Sequence, residues 1–147
     1  MSTFEPVEIL LVEDSDTDAE VALRALRRAH LGNQVVWVKD GAEALGYLFR
    51  TGEYADRPNG EPRLVLLDIK MPKIDGLETL RQIRERDPQH RIPVVMLTSS
   101  AEESDLLRSY QLGVNSYVVK PVDFIQLSEQ IVRLGFYWLA MNRVPSS

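Results

Sequence analysis

The chain contains no cysteine, which excludes disulfides, thiolate metal sites, cysteine nucleophiles and a thiol-linked bilin together. Such a chain suits a reducing compartment, and the cytoplasm is the expected location. Histidine is almost as scarce, with two copies in 147 residues. His30 lies near a helix end, where positive charge is tolerated, and His90 sits in the loop after Pro88. Neither has the setting of a phosphoryl-transfer imidazole. No apolar run approaches the roughly 20 residues of a membrane span, and no cluster of lysine and arginine is dense enough to track a phosphate backbone. The formal charge of −5 also argues against direct nucleic-acid binding. The opening "MSTFEPVEILLVEDS" lacks a basic segment leading into an apolar stretch and a cleavage site, so no processing is expected. A G-x-x-x-x-G-K-[ST] loop is missing too, which removes the P-loop NTPases.

What is present is an ordinary globular composition, 44% hydrophobic and 27% charged, enough for one domain over residues 1–147 and too short for a second. Short apolar runs alternate with segments of helical period, the signature of βαβ units. The predicted strands are "VEILLV" (7–12), "QVVWV" (34–38), "LVLL" (64–67), "PVVML" (93–97) and "SYVV" (116–119). Helices are predicted over 16–30, with Ser15 as N-cap and Asp18 completing a capping-box pattern, and over 42–50. Further helices follow Asp75-Gly76 to about 86, span 102–112, and run from Asp123 toward 141. Residues 51–62, "TGEYADRPNGEP", read as a long loop. Five apolar strands separated by helices predict a doubly wound α/β fold, a five-stranded parallel sheet with five helices. Ligands of such sheets bind beyond the carboxyl ends of the strands.

Those ends carry the chemistry. The first strand ends in Glu13-Asp14, the third in Asp68, the fourth in Thr98 and the fifth in Lys120-Pro121. Taken singly, an acidic residue or threonine after a strand is often a helix cap. Taken together, three carboxylates at the rim of an apolar sheet repel one another unless a cation compensates. Oxygen-only ligation favours a hard divalent ion such as Mg²⁺. A rigid carboxylate beside a metal and a lysine is placed to attack phosphorus, which makes Asp68 the candidate phosphoacceptor. Lys120 would neutralise charge on the transferring group, and Thr98 would donate a hydrogen bond to a remaining oxygen.

These residues resemble the response-regulator receiver family of two-component signalling, through "ILLVEDS", "LVLLDIKMPKIDG", "PVVMLTSS" and "GVNSYVVKP" in that order. The resemblance implies the flavodoxin-like receiver fold and a phosphoacceptor signalling protein rather than an enzyme. It implies Mg²⁺ held by Asp14, Asp68 and the main-chain carbonyl of Lys70, with Glu13 acting through water, and a histidine kinase as donor. It further implies a cis Lys120–Pro121 bond and a Tyr117 ring that turns inward when Thr98 engages the phosphoryl group. On periodicity alone Tyr117 reads as a plain strand aromatic. Lys70 and Ser100 flank the expected path of attacking water and should influence the lifetime of the phosphorylated state. Two alternatives stand beside this reading: a receiver that works only as an unphosphorylated binding module, and an aspartate-nucleophile phosphohydrolase. The second normally needs an aspartate two residues after the nucleophile, where this chain has Lys70.

The carboxyl-terminal stretch 135–147 reads as an aromatic extension of the last helix. Phe136, Tyr137, Trp138 and Leu139 are consecutive, and neighbouring helix positions are about 100° apart, so they cannot share one buried stripe. A homodimer contact formed by these residues is expected, because aromatics are favoured in interface cores. A tail folded back on its own domain is the alternative. The long loop and this tail also resemble the stand-alone regulators of phytochrome-type photoreceptor kinases, which implies such a kinase, a bacteriophytochrome, as partner.

Overall fold

The computed structural model describes residues 9–29, 35–58, 61–71, 73–99 and 103–133. Five strands, β1 (Ile9–Val12), β2 (Val35–Val38), β3 (Leu64–Asp68), β4 (Val94–Thr98) and β5 (Ser116–Val119), alternate with α1 (Asp16–Arg28), α2 (Gly41–Phe49), α3 (Gly76–Arg86), α4 (Glu103–Gln111) and α5 (Phe124–Arg133). The strands form one parallel sheet in the order β2-β1-β3-β4-β5. The chain steps outward from β1 to β2, then returns to place β3 on the other side. The crevice between β1 and β3 is therefore the switch point of the topology.

The near-continuous apolar strands are explained by burial on both faces. Ile9 and Leu11 of β1 and Leu64 and Leu66 of β3 pack beneath α1 and α5, against Ala22, Leu26, Leu127 and Ile131. Leu10, Val12, Val65 and Leu67 point the other way, into α2 and α3, where Ala44, Leu48, Leu80 and Ile83 meet them. Every residue of β1, β3 and β4 is buried. At the outer edge of β5 the Gln126 amide, one turn into α5, donates to the Val119 carbonyl at 2.7 Å and accepts from the Val119 N–H at 2.8 Å.

Ser15 caps α1 by accepting from the Asp18 N–H at 3.1 Å. The expected reciprocal bond of a capping box is replaced: the Ser15 N–H goes to Glu13 Oε2 at 3.2 Å, which leaves the Asp18 carboxylate for a distant partner. Within the predicted loop 51–62, residues 51–58 contain a 3-10 turn, Gly52–Tyr54, and are pinned to α2. Tyr54 Oη donates to Glu43 Oε2 at 2.7 Å, Arg57 Nε donates to the Tyr47 carbonyl at 2.7 Å, and the Arg57 guanidinium lies 4.2 Å from the Tyr47 ring centroid.

A buried arginine holds the opposite end of the sheet. Arg84, 8% exposed, donates to Asp87 Oδ2 (3.1 Å), the Ile92 carbonyl (2.7 Å), the Gly113 carbonyl (2.9 Å) and Asn115 Oδ1 (3.1 Å). Asp87 also accepts from the Arg91 and Ile92 N–H groups, and Asn115 Oδ1 from the Val94 N–H. One side chain thereby ties α3 to the connections entering β4 and β5. His30, Ser100, Phe136, Tyr137, Trp138 and Leu139 lie outside the described residues.

Candidate functional site

Each predicted strand-end residue arrives at the same rim. Register alone brings them together: Val12 pairs with Leu67, Asp68 with Leu97 and Thr98 with Val119, so the residues that end β1, β3, β4 and β5 line up side by side. One carboxylate oxygen from each of Glu13, Asp14 and Asp68 lies within 4.8 Å of the others. Glu13 and Asp68 are buried, 1% and 3% exposed, whereas Asp14 is exposed. Thr98 is buried at the end of β4, and its carbonyl accepts the Lys120 N–H at 2.6 Å.

Lys120 is the cation inside this acidic group. Its Nζ lies 2.8 Å from Glu13 Oε1, 2.9 Å from Asp18 Oδ2 and 3.2 Å from Asp68 Oδ1. The Lys120–Pro121 bond is cis, as expected. Burial works against the ammonium charge, but the hydrogen bonds to Glu13 and Asp18 and the nearby Asp68 outweigh it, and the lysine pKa rises. Burial pushes the Glu13 carboxyl up to about 7, with Lys120 opposing and Asp68 adding to the rise. Burial likewise raises Asp68, against the pull of Lys120 and a Lys70 backbone hydrogen bond. Asp18 is the member that sequence reasoning missed. It stands 102 residues from Lys120, and its place in a first helical turn marked it only as a cap.

The donor set fits a hard divalent cation. Four carboxylates, Glu13, Asp14, Asp18 and Asp68, gather around one lysine, and Glu13 Oε1 is buried 2.8 Å from it. One ammonium leaves negative charge in excess there, and a divalent cation would offset it. Lys70, whose carbonyl is an expected metal ligand, turns its side chain to Asp105 of α4 at 3.4 Å. Tyr117 is half-buried, and its ring meets Tyr110 of α4 edge-on at 6.2 Å. Gly76 opens α3 because nothing larger fits: a Cβ there would stand 2.1 Å from the Asp68 carbonyl oxygen and 2.8 Å from Ile69 Cα. Its N–H donates to the Ile69 carbonyl at 2.8 Å, so the loop after Asp68 is folded against the start of α3.

Residues 9–132 match the response regulator receiver domain. The chain belongs to that family. Among relatives of this receiver, the probable methanogenesis regulatory protein FilR2 of Methanothrix harundinacea is 43% identical over 96% of the chain and 89% of its own length. Response regulator Rcp1 of Synechocystis is 36% identical over 97% and 95%, and a solved structure of Rcp1 is an Mn²⁺-bound form. The bacteriophytochrome response regulator RtBRR superposes with a TM-score of 0.84 at 52% identity, covering 96% of this chain and 85% of that one. The phosphorylated cyanobacterial phytochrome response regulator RcpA gives 0.76 at 39%, covering 97% and 100%. The receiver thus has close homologues tied to phytochrome signalling. No helix among the described residues is long and apolar enough to cross a membrane.

Proposed function

We propose that this receiver accepts a phosphoryl group on Asp68 from a histidine kinase and signals by a change of its α4–β5–α5 surface. The observation that carries the reading is the buried Asp68 carboxylate at the tip of β3, 3.2 Å from Lys120 Nζ and grouped with Glu13 and Asp14. In the transfer, an Asp68 oxygen forms the bond to phosphorus as the P–N bond of the donor phosphohistidine breaks, and the imidazole leaves with the electron pair. The transferring group carries its charge on equatorial oxygens, and Lys120 offsets that charge while the Thr98 hydroxyl donates to one oxygen. Asp14, Asp68 and the Lys70 carbonyl would hold Mg²⁺, with Glu13 acting through water, and the bound ion would supply further positive charge against the same oxygens. A phytochrome-type kinase is the donor best supported by the likeness to RtBRR and RcpA. Cytoplasmic residence follows from that partnership.

The test is intact-mass analysis after incubation with a small-molecule phosphodonor and Mg²⁺. The parent should gain one phosphate, a chelator should suppress the gain, and Asp68→Asn should show none. Equal labelling of the Asn variant would refute the assignment. Homodimerisation through Phe136, Tyr137, Trp138 and Leu139, in the extension 135–147 of this single receiver, is proposed on sequence grounds. Light scattering on the parent and on Tyr137→Ala with Trp138→Ala decides it, and a monomeric parent in both phosphorylation states would refute it.

A further inference from the structure

The geometry points to Trp37 as a positioning residue for the metal-binding carboxylates, acting through its indole N–H; this rests on the metal reading of Glu13 and Asp14 given above. Strand β1 ends at Val12, and the next residue must leave the sheet while staying aimed at the crevice. Glu13 is the point of departure. Its N–H still donates to the Val38 carbonyl at 3.0 Å. Its carbonyl lies one step beyond Val12 and Val38, the last pair of the β1–β2 ladder, where the next ladder donor would stand. The Trp37 Nε1–H takes that place, donating to the Glu13 carbonyl at 2.8 Å.

That carbonyl belongs to the peptide joining Glu13 to Asp14, so the indole fixes the plane from which Asp14 projects. Glu13 has other restraints, namely burial, the Ser15 N–H on Oε2 and Lys120 near Oε1. Asp14 has few. Its side chain is exposed, and packing does not choose its direction. The peptide plane does. Trp37 is itself held: half-buried, it packs against the core under α1, pairs across the sheet with Leu11, and carries the Lys39 ammonium 5.0 Å from its ring centroid. Lys39 is anchored in turn by Asp16 at 3.2 Å. An aromatic residue on an edge strand would serve for packing alone, and phenylalanine would fill that role; the hydrogen bond to the one peptide between the two acids is what packing does not require.

Groups that orient metal ligands from outside the ligand set typically contribute about 10–100-fold to metal affinity. Mn²⁺ titration followed by the free-ion electron paramagnetic resonance signal reads this directly, without phosphorylation. Trp37→Phe, which keeps a ring and removes the donor, should bind Mn²⁺ about 10–100-fold more weakly than the parent. Leu23→Ala, which thins the same side of the core without touching the bond, should lower the unfolding midpoint yet keep its affinity within about threefold of the parent, well inside that range. Parity of Trp37→Phe with the parent, or an equal loss in Leu23→Ala, would overturn the proposal while leaving the metal site intact. A parent that binds no Mn²⁺ would instead overturn the metal reading, and the proposal with it. Should Trp37→Phe fail to fold, the unsubstituted chain still decides: the Trp37 indole proton should exchange slowly with solvent and shift in NMR spectra on adding Mg²⁺. A fast-exchanging, unresponsive indole proton would overturn the assignment.

Discussion

Replacing Arg84 by methionine should destabilise the fold by about 3–5 kcal/mol, the cost typical of removing one partner from a buried ion pair. The contacts give the same scale. The Ile92 and Gly113 carbonyls each lose a charged donor, and buried groups left unsatisfied cost about 1–3 kcal/mol each. The two side-chain acceptors suffer less, because Asn115 keeps the Val94 N–H and Asp87 keeps two backbone donors. Methionine also preserves most of the packed stem, so the loss reports the guanidinium rather than a cavity. Equilibrium urea unfolding measures it. In thermal melts, at roughly 2–4 °C per kcal/mol for a chain of this size, the midpoint should fall by roughly 6–20 °C. The double variant Arg84→Met with Asp87→Asn should be less destabilised than the sum of the two single variants by about 0.5–3 kcal/mol, since the stranded carboxylate charge is gone. A single-variant loss under about 1 kcal/mol, below the range for one stranded group, would refute the reasoning. So would strict additivity of the pair.

Two further outcomes are expected. Lys120→Ala should retain Mn²⁺ binding, because an ammonium is no ligand, but should lose the change in amide exchange across residues 103–133 that a beryllofluoride mimic at Asp68 produces in the parent; a full parental response would show that Lys120 does not couple site to surface. Gly76→Ala should cost about 1–3 kcal/mol, as overpacked sites do, and should slow phosphorylation because the collision falls on the Asp68 backbone; parental stability and labelling together would contradict the close approach.

The sheet and the site rim were legible because burial writes a pattern into sequence. Runs such as "LVLL" announce strands covered on both faces, and a carboxylate that ends such a run stands out. Boundaries moved by a residue or two, with Asp68 and Thr98 falling inside their strands rather than after them. The polar partnerships were not legible. Asp18 matched a local capping pattern, and only the folded sheet reveals Lys120 within reach. Trp37 falls within a predicted strand and Arg84 within a predicted helix, and neither run marks the partners they find. Hydrogen bonds across the sheet or between loops have no period, so residue type alone cannot announce them. Asp75-Gly76, which precedes the third predicted helix, has two separate jobs: Asp75 caps α3, and the glycine makes room for the Asp68 carbonyl pressed against it.

The amide of Gln126 has a consequence for the company this protein can keep. Seated on the N–H and C=O of Val119, it imitates one peptide unit of a sixth strand, and the open margin of the sheet is closed there by the chain's own hand. A visiting strand would have to evict that amide first, giving up two hydrogen bonds worth about 0.5–1.5 kcal/mol each, before it gained any of its own. Recognition on this flank therefore favours partners that grip side chains over those that lengthen a sheet. The same seat protects the molecule from its copies, since unguarded strand margins are where soluble proteins begin to stack.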